Sequence, residues 1–235
     1  MCQSMFCALP CPWRVWDEEA RPLMLLYLPV LGLELGALWC TLAWLLARLA
    51  LPAPLAALLL CAYPIAVTGG IHLDGFMDVT DAVRSCGDAE KRRAILKDPH
   101  VGSFAVLACA LLLLALYSCF SVRHAPSAAL VLLPVVSRCG SALAVTLLRP
   151  MTTSQYAAQE KPKGLAPALA VMLALALGAG FLCSWRCGAA LLAAALGYGL
   201  ALLRGVRSLG GMNGDVAGYA LTLSELFGVC AWALL

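Results

Sequence analysis

The chain has 235 residues, of which 63% are hydrophobic and 12% are charged, whereas a soluble globular domain carries about 25% charged residues. This composition excludes an ordinary soluble protein and predicts an all-α, polytopic integral membrane protein. The net charge of +3 does not indicate binding to nucleic acid.

The segment 1–22 precedes the first apolar run. It lacks the basic start and apolar core of a signal peptide, and three consecutive acidic residues follow Trp16. We expect this segment to lie at the membrane interface, with Trp13 and Trp16 at the depth of the lipid headgroups. We treat residues 1–235 as a single membrane domain.

Seven apolar runs are candidates for membrane spans, which need about 20 residues each. They cover residues 23–47, 52–67, 103–120, 126–148, 165–183, 189–203 and 216–235. A cytoplasmic N-terminus places most Lys and Arg residues on the inner side, as the positive-inside rule requires. The sequence therefore predicts a bundle of about seven transmembrane helices with a helical loop, 68–102, on its cytoplasmic side.

The loop 68–102 concentrates the charge of the chain, since it holds six of the thirteen acidic residues and two of the three His. Such a concentration between membrane spans indicates a functional site. Asp74, Asp78 and Asp81 are spaced i, i+4 and i+7, so a helix would place all three carboxylates on one face. We call these three residues the Asp triplet.

Three carboxylates on one face repel each other, and a divalent cation turns the same arrangement into a binding site. Mg²⁺ is the natural candidate because it prefers oxygen ligands, and no Cys forms a CxxC pair that would favour zinc. The alternative is an acidic helix face that is simply solvated. Gly69, Gly70 and Gly75 favour the metal site, because glycine lets the backbone approach a ligand closely.

A second short helix is predicted over 88–98, where Asp88 can cap its start. Its apolar side is modest, so we expect it to lie at the membrane surface. The basic cluster Lys91–Arg92–Arg93 then serves as a headgroup anchor.

Two charged residues fall within predicted spans. Glu34 is expected to face the bundle or a water-filled cavity as a protonated or paired acid. Arg138 suits recognition of phosphate or carboxylate, and an ion pair with Glu34 or Glu225 is an equal alternative.

The segment 207–225 is the second informative region. Three glycines surround Asn213 and lead to Asp215 at the predicted start of the last span. Backbone N–H groups at a helix N-terminus attract anions, and Asp215 offers another oxygen to a metal. The alternative is a flexible turn that Asp215 caps.

The run GGIHLDGFMDVTDA, followed by KDPHVGSF, resembles the signature of the cobalamin-5'-phosphate synthase family, also called adenosylcobinamide-GDP ribazoletransferases. That family carries GG-x-H-x-DG-x-x-D-x-x-DG and a downstream K-D-x-x-x-G. Ala82 stands where the family has a glycine after its third Asp. The family also has GG-x-T-GD followed about ten residues later by Glu, and here Asn213 stands in place of the Thr.

The resemblance implies a role for each matching residue. The Asp triplet would be catalytic and would hold Mg²⁺ together with Asp215. His72 would be a base, a phosphate contact or a loop contact, Lys97 a cation for phosphate, and Asp98 a metal ligand or an orienting group. The expected substrate-binding residues are Gly69, Gly70, His72, Lys97, Asp98, Arg138, Gly210, Gly211, Asn213, Gly214 and Glu225.

The implied activity is transfer of the cobinamide phosphate from adenosylcobinamide-GDP to α-ribazole or its 5'-phosphate, with release of GMP. The implied location is a prokaryotic cytoplasmic membrane, with the active site on the cytoplasmic side. One alternative is a CDP-alcohol phosphotransferase, although the Ala-Arg that continues that family's motif is absent after Asp74-Gly75. Another is a multi-pass transporter, although the sequence has no repeated halves.

Overall fold

The computed structural model describes residues 1–11, 16–18, 20–85, 87–151 and 162–235. Trp13 and most of the loop between 149 and 164 lie outside these residues. The described residues form ten α-helices, a 3₁₀ turn at Arg21–Leu23 and no strand. In chain order the helices are α1 (Cys2–Phe6), α2 (Met24–Arg48), α3 (Ala53–Thr68), α4 (Ile71–Arg84), α5 (Ala89–Ile95), α6 (Ser103–Val122), α7 (Ala128–Leu147), α8 (Leu165–Cys183), α9 (Trp185–Leu209) and α10 (Gly214–Leu234).

Six helices among the described residues are long and apolar enough to cross a membrane, namely α2 and α6 to α10. The pair α3 and α4 makes a seventh crossing if it is counted as one bent span. The all-α, multi-pass architecture is therefore confirmed. The predicted span 189–203 is too short, because α9 extends at both ends through turns that contain Arg186 and Arg204. Long Arg side chains at the ends of a span reach the interface, so their charge does not end the helix.

An aromatic cluster packs α2, α6 and α10 together. The ring centroids of Trp39 and Phe120 are 5.6 Å apart, and those of Phe120 and Trp232 are 6.1 Å apart. All three side chains are almost fully buried, and such aromatic pairs stabilise a core beyond the area that they bury. Phe120 and Trp232 lie near the C-terminal ends of their helices, so this end of the bundle is firmly packed.

The chain bends sharply between α3 and α4. Gly69 and Gly70 have φ values of 63° and 80°, in the left-handed region that favours glycine. The two helix axes meet at 92° as a result. The bend turns α4 across the starts of α6 and α10, so these two glycines have a structural role in directing the chain.

Three loop regions meet at the end of the bundle that carries α4. Met151 N donates to Met212 O (2.8 Å), which joins the segment after α7 to the segment before α10. The Arg93 guanidinium donates to Leu209 O (3.3 Å), which joins α5 to the end of α9. The basic cluster was predicted only to anchor the chain to lipid headgroups, whereas Arg93 also makes a contact within the protein.

Helix α5 confirms the second short helix. Asp88 accepts a hydrogen bond from Lys91 N (2.9 Å) and so caps its start, as predicted. The helix ends at Ile95, three residues before the predicted end. Asp98 directly precedes Pro99, and a proline disfavours the helical conformation of the residue before it.

Candidate active site

Helix α4 carries the Asp triplet. Its apolar face buries Phe76, Val79 and Val83 against the bundle, and the triplet lies on the other, more open face. The prediction that these residues form a helix is confirmed. The helix therefore gathers three acidic side chains along one side.

Helices α4 and α10 pack through two glycines. A Cβ added at Gly75 would lie 2.9 Å from the carbonyl oxygen of Asp215, and one at Gly218 would lie 3.2 Å from that of His72. The Thr222 hydroxyl also donates to His72 O (3.0 Å). The two glycines therefore let the backbones of α4 and α10 touch, and two motifs more than 130 residues apart in sequence meet here.

The four carboxylates of Asp74, Asp78, Asp81 and Asp215 form one group, which we call the carboxylate cluster. Asp74, Asp81 and Asp215 each lie close enough to Asp78 to repel its charge, and Asp74 also acts on Asp215. Among the described residues, none of the four forms an ion pair with Lys or Arg. The cluster is thus a concentration of negative charge that the described part of the chain does not neutralise.

Asp81 has a contact that the sequence did not reveal. Its two carboxylate oxygens accept from Gly102 N (2.6 Å) and Ala105 N (2.9 Å), at the start of α6. These N–H groups have no partner within the helix, so a carboxylate there stabilises the helix end. Asp81 therefore ties the Asp triplet to the end of the KDPHVG segment, and its role as a metal ligand stays a prediction.

Asn213 and Asp215 form a small hydrogen-bonded unit at the start of α10. Asn213 Oδ1 accepts from Val216 N (2.9 Å), which makes Asn213 the N-cap of the helix. Asn213 Nδ2 donates to Asp215 Oδ2 (2.7 Å). The alternative in which Asp215 is the cap is therefore wrong, because Asn213 fills that position and orients the Asp215 carboxylate.

The three glycines of the second motif have different environments. Gly210 has a φ of 82° and ends α9 in the left-handed conformation. Gly211 packs tightly, since a Cβ there would lie 2.8 Å from Met151 Cγ. Gly214 is exposed, and an added Cβ would have no neighbour within 4 Å among the residues that the structure describes. Of these three glycines, Gly214 thus has the most open surroundings. Anion binding by this loop stays a prediction.

Arg138 pairs with Glu225 inside the bundle. Its Nη1 donates to Glu225 Oε1 (2.8 Å), and the Ser137 hydroxyl donates to the same oxygen (3.0 Å). Of the two ion-pair alternatives, Glu225 is the partner. Glu34 is instead exposed and lines an open groove between α2 and the N-terminal segment.

His72 lines a small cavity beside this ion pair. The cavity has a volume of about 50 Å³ and is also lined by Arg138, Thr222 and Glu225, and a volume of this size holds water. His72 Nε2 is buried and has no hydrogen-bond partner among the described residues. Glu225 follows Asp215 by ten residues, or about 15 Å along the helix. The sequence grouped these residues into one site, whereas the structure separates the carboxylate cluster from this buried polar group.

Lys97 and Asp98 lie on the exposed segment after α5. Asp98 accepts from His100 N (3.0 Å), and its carboxylate contacts the His100 ring (2.6 Å). The hydrogen bonds from the backbone and then from the ring of His100 hold the pKa of Asp98 below its ordinary value. His100 is a partner that the sequence analysis missed.

The fold and the site define a polytopic α-helical membrane protein with a carboxylate cluster at one end of its bundle. A family model described as cobalamin-5-phosphate synthase matches residues 1–233, and the chain belongs to that family. It is therefore a transferase of cobalamin biosynthesis, which excludes the alternatives of a phospholipid-type phosphotransferase and a transporter.

Curated relatives match the sequence of this chain over most of its length. The adenosylcobinamide-GDP ribazoletransferase of Clostridium perfringens (strain 13 / Type A) is 35% identical over 97% of this chain and 94% of its own length. The protein of the same name from Pseudomonas putida (strain W619) is 37% identical over 89% of this chain and 87% of its own. No solved structure matches the chain.

Proposed function

We propose that this chain transfers the cobinamide phosphate of adenosylcobinamide-GDP to α-ribazole or its 5'-phosphate and releases GMP. The names of the relatives support the substrates. The observation that carries the proposal is the contact between α4 and the start of α10, which unites Asp78 with Asp215. Transfer between phosphates depends mainly on positioning and on electrostatic stabilisation, and the cluster lies where both helices contribute.

The reaction breaks the bond between the cobinamide phosphorus and the oxygen that leaves with GMP. A ribazole hydroxyl oxygen forms the new bond to phosphorus, and its proton must pass to a base. Asp81 is poorly suited to this task, because both of its oxygens already accept backbone hydrogen bonds. We assign the proton acceptor to Asp74 or Asp78, whose side chains lie on the open face of α4.

The donor set of the cluster suits Mg²⁺. Its side chains offer only oxygen atoms, and Mg²⁺ usually binds one or two carboxylates together with substrate phosphates and water. No three His, Cys, Asp or Glu side chains of the described residues converge on one point, so we expect the substrate to complete the site. One or two of the carboxylates of Asp74, Asp78 and Asp215 would hold the ion, which when bound would neutralise charge on the phosphoryl oxygens.

The cluster side of the bundle is the proposed cytoplasmic side. Arg84, Arg93, Arg149, Arg204 and Arg207 all lie at this end, in the last turns of helices or in the loops that join them. Such an excess of positive charge is typical of cytoplasmic loops. We therefore place the site at the cytoplasmic face of a prokaryotic cytoplasmic membrane.

The test is turnover by the purified protein in lipid vesicles. With adenosylcobinamide-GDP, α-ribazole and Mg²⁺, we expect GMP and cobalamin to form in equal amounts. Replacement of α-ribazole by its 5'-phosphate identifies the preferred acceptor. A folded protein that yields no GMP with either acceptor would contradict the proposal, and GMP without cobalamin would show hydrolysis in place of transfer.

A further inference from the structure

A groove of about 740 Å³ runs beside α4, on the side away from the Asp triplet. It lies between α4, α6, α9 and α10, and its volume is in the range of about 300–1,000 Å³ that is usual for ligand sites. The apolar side chains of its walls include Phe76, Leu107, Leu111, Leu112, Leu223 and Leu226. The proposed reaction does not use this groove.

The groove opens sideways into the membrane. Leu107 and Leu111 are 62% and 68% exposed on the outer face of α6, and Phe104 is exposed one turn before them. Because α6 is a membrane span, its exposed apolar face contacts acyl chains. A ligand of this groove therefore enters from the bilayer.

One end of the groove is cationic. Arg84, at the end of α4, and Arg204, near the end of α9, both line it. The Tyr219 hydroxyl feels the positive charge of both arginines, and it is within hydrogen-bonding reach of Arg204. Within the described part of the chain, neither arginine pairs with a carboxylate. Two guanidinium groups at the same end of a groove can bind the oxygens of one phosphate group.

The rest of the groove suits a hydrocarbon chain. From Phe104 to Leu112 it follows α6 for eight residues, or about 12 Å. Among the described residues that line these walls, Thr80 is the one polar side chain beyond Tyr219 and the arginines. Its hydroxyl already donates to Phe76 O (2.6 Å). A sugar or a nucleobase would leave its polar groups without partners here.

We propose that the groove binds one anionic glycerophospholipid. Its phosphate lies between Arg84 and Arg204 at the membrane interface, and an acyl chain follows the apolar wall of α6 and α10. Basic pockets between membrane helices bind lipid headgroups in this way. Because Phe76 and Thr80 belong to α4, the bound lipid supports the helix whose opposite face carries the Asp triplet.

Native mass spectrometry tests the proposal on the full chain, purified in neutral detergent. We expect one phosphatidylglycerol to remain bound per chain under conditions that remove phosphatidylcholine of the same chain length. The double variant Arg84→Gln/Arg204→Gln should weaken retention by about tenfold or more. Arg207→Gln, at the same end of α9 but outside the groove, is the matched control and should retain the lipid.

A second pair of variants tests the apolar part and does not depend on the arginines. Ala108 lines the groove, whereas Ala110 is exposed on another face of α6. Ala108→Phe should fill the groove and expel the lipid, and Ala110→Phe should not. Equal retention within either pair would overturn the proposal. So would displacement of the lipid by excess inorganic phosphate, or by adenosylcobinamide-GDP, since these results would assign the groove to free phosphate or to substrate.

Discussion

Gly75 of α4 lies directly against the backbone of Asp215 in α10, so closely that a Cβ at Gly75 would sit 2.9 Å from the Asp215 carbonyl oxygen. The reciprocal contact joins Gly218 of α10 to the backbone of His72. Small residues let membrane helices approach this closely. The distance between the two halves of the carboxylate cluster is therefore set by two glycines and not by side-chain contacts alone.

The first prediction concerns this spacing. Gly218→Ala should push α4 away from α10, because the new Cβ would lie 3.2 Å from His72 O. We expect turnover to fall by about tenfold or more and the Mg²⁺ requirement to rise, since small displacements of reacting groups are costly. The control is Gly199→Ala on α9, where a Cβ meets no atom of the described residues within 4 Å. Both variants gain the same helix propensity, so equal turnover in the two would disprove the spacing role.

The second prediction separates Asp81 from Asp78. Asp81→Ala removes the acceptor of two N–H groups at the start of α6, so we expect it to lower the free energy of unfolding by about 1–2 kcal/mol. Asp78→Asn removes one of several mutually repelling charges, so we expect no loss of stability. The loss of an anionic group from the cluster should instead lower turnover by about 100-fold. Thermal unfolding in detergent, measured beside GMP release, distinguishes the two. Destabilisation by Asp78→Asn alone would reverse these roles.

The third prediction concerns the buried ion pair. Glu225→Ala leaves the Arg138 guanidinium, only 4% exposed, without its partner. Loss of one member of a buried pair costs about 3–5 kcal/mol, and we expect that loss in denaturant unfolding. The double variant Arg138→Met/Glu225→Leu should restore most of the stability, because an apolar pair needs no partner.

Turnover of the same double variant shows what else the pair does. Restored stability with restored turnover would assign the pair to structure alone. Restored stability without turnover would support the predicted substrate contact of Arg138. A fully stable Glu225→Ala protein would contradict the ion pair itself.

The fourth prediction concerns orientation. In a Cys-free background, Asp88→Cys lies on the exposed start of α5, and Ala125→Cys lies on the exposed loop between α6 and α7. We expect an impermeant thiol reagent to label position 125 in intact cells and position 88 only after the membrane is opened. Labelling with the opposite preference would invert the proposed topology.

Local patterns predicted much of the fold. The spacing of the Asp triplet predicted helix α4, and Asp88 predicted the start of α5, because helical periodicity and capping depend on neighbours in sequence. Apolar runs predicted the spans, with two exceptions. The ends of α9 contain Arg residues that the prediction left out, and the run 52–67 forms α3, which counts as a crossing only together with α4. These features depend on residues within a few turns of one another.

Contacts between distant segments were not predictable in the same way. Nothing in the sequence indicates that Asp81 binds the start of α6, or that Gly75 meets Asp215, since those partners are 21 and 140 residues apart. The sequence likewise left Glu34 and Glu225 as equal candidates for the partner of Arg138, and the packing of the helices shows that Glu225 is the partner. The family resemblance placed both motifs in one site. The packing of the helices shows that the carboxylate cluster is separate from the buried ion pair of Arg138 and Glu225.

The most direct test of the central claim is a double-mutant cycle on Asp78 and Asp215. If both belong to one functional cluster, Asp78→Asn and Asp215→Asn should each cost about 100-fold in turnover. The double variant should then cost much less than the product of the two losses, because residues that act as a unit are non-additive. The measurement is GMP release across an Mg²⁺ titration, with folded protein quantified for each variant. Simple additivity, with the Mg²⁺ dependence of Asp215→Asn unchanged, would contradict the account and remove Asp215 from the site.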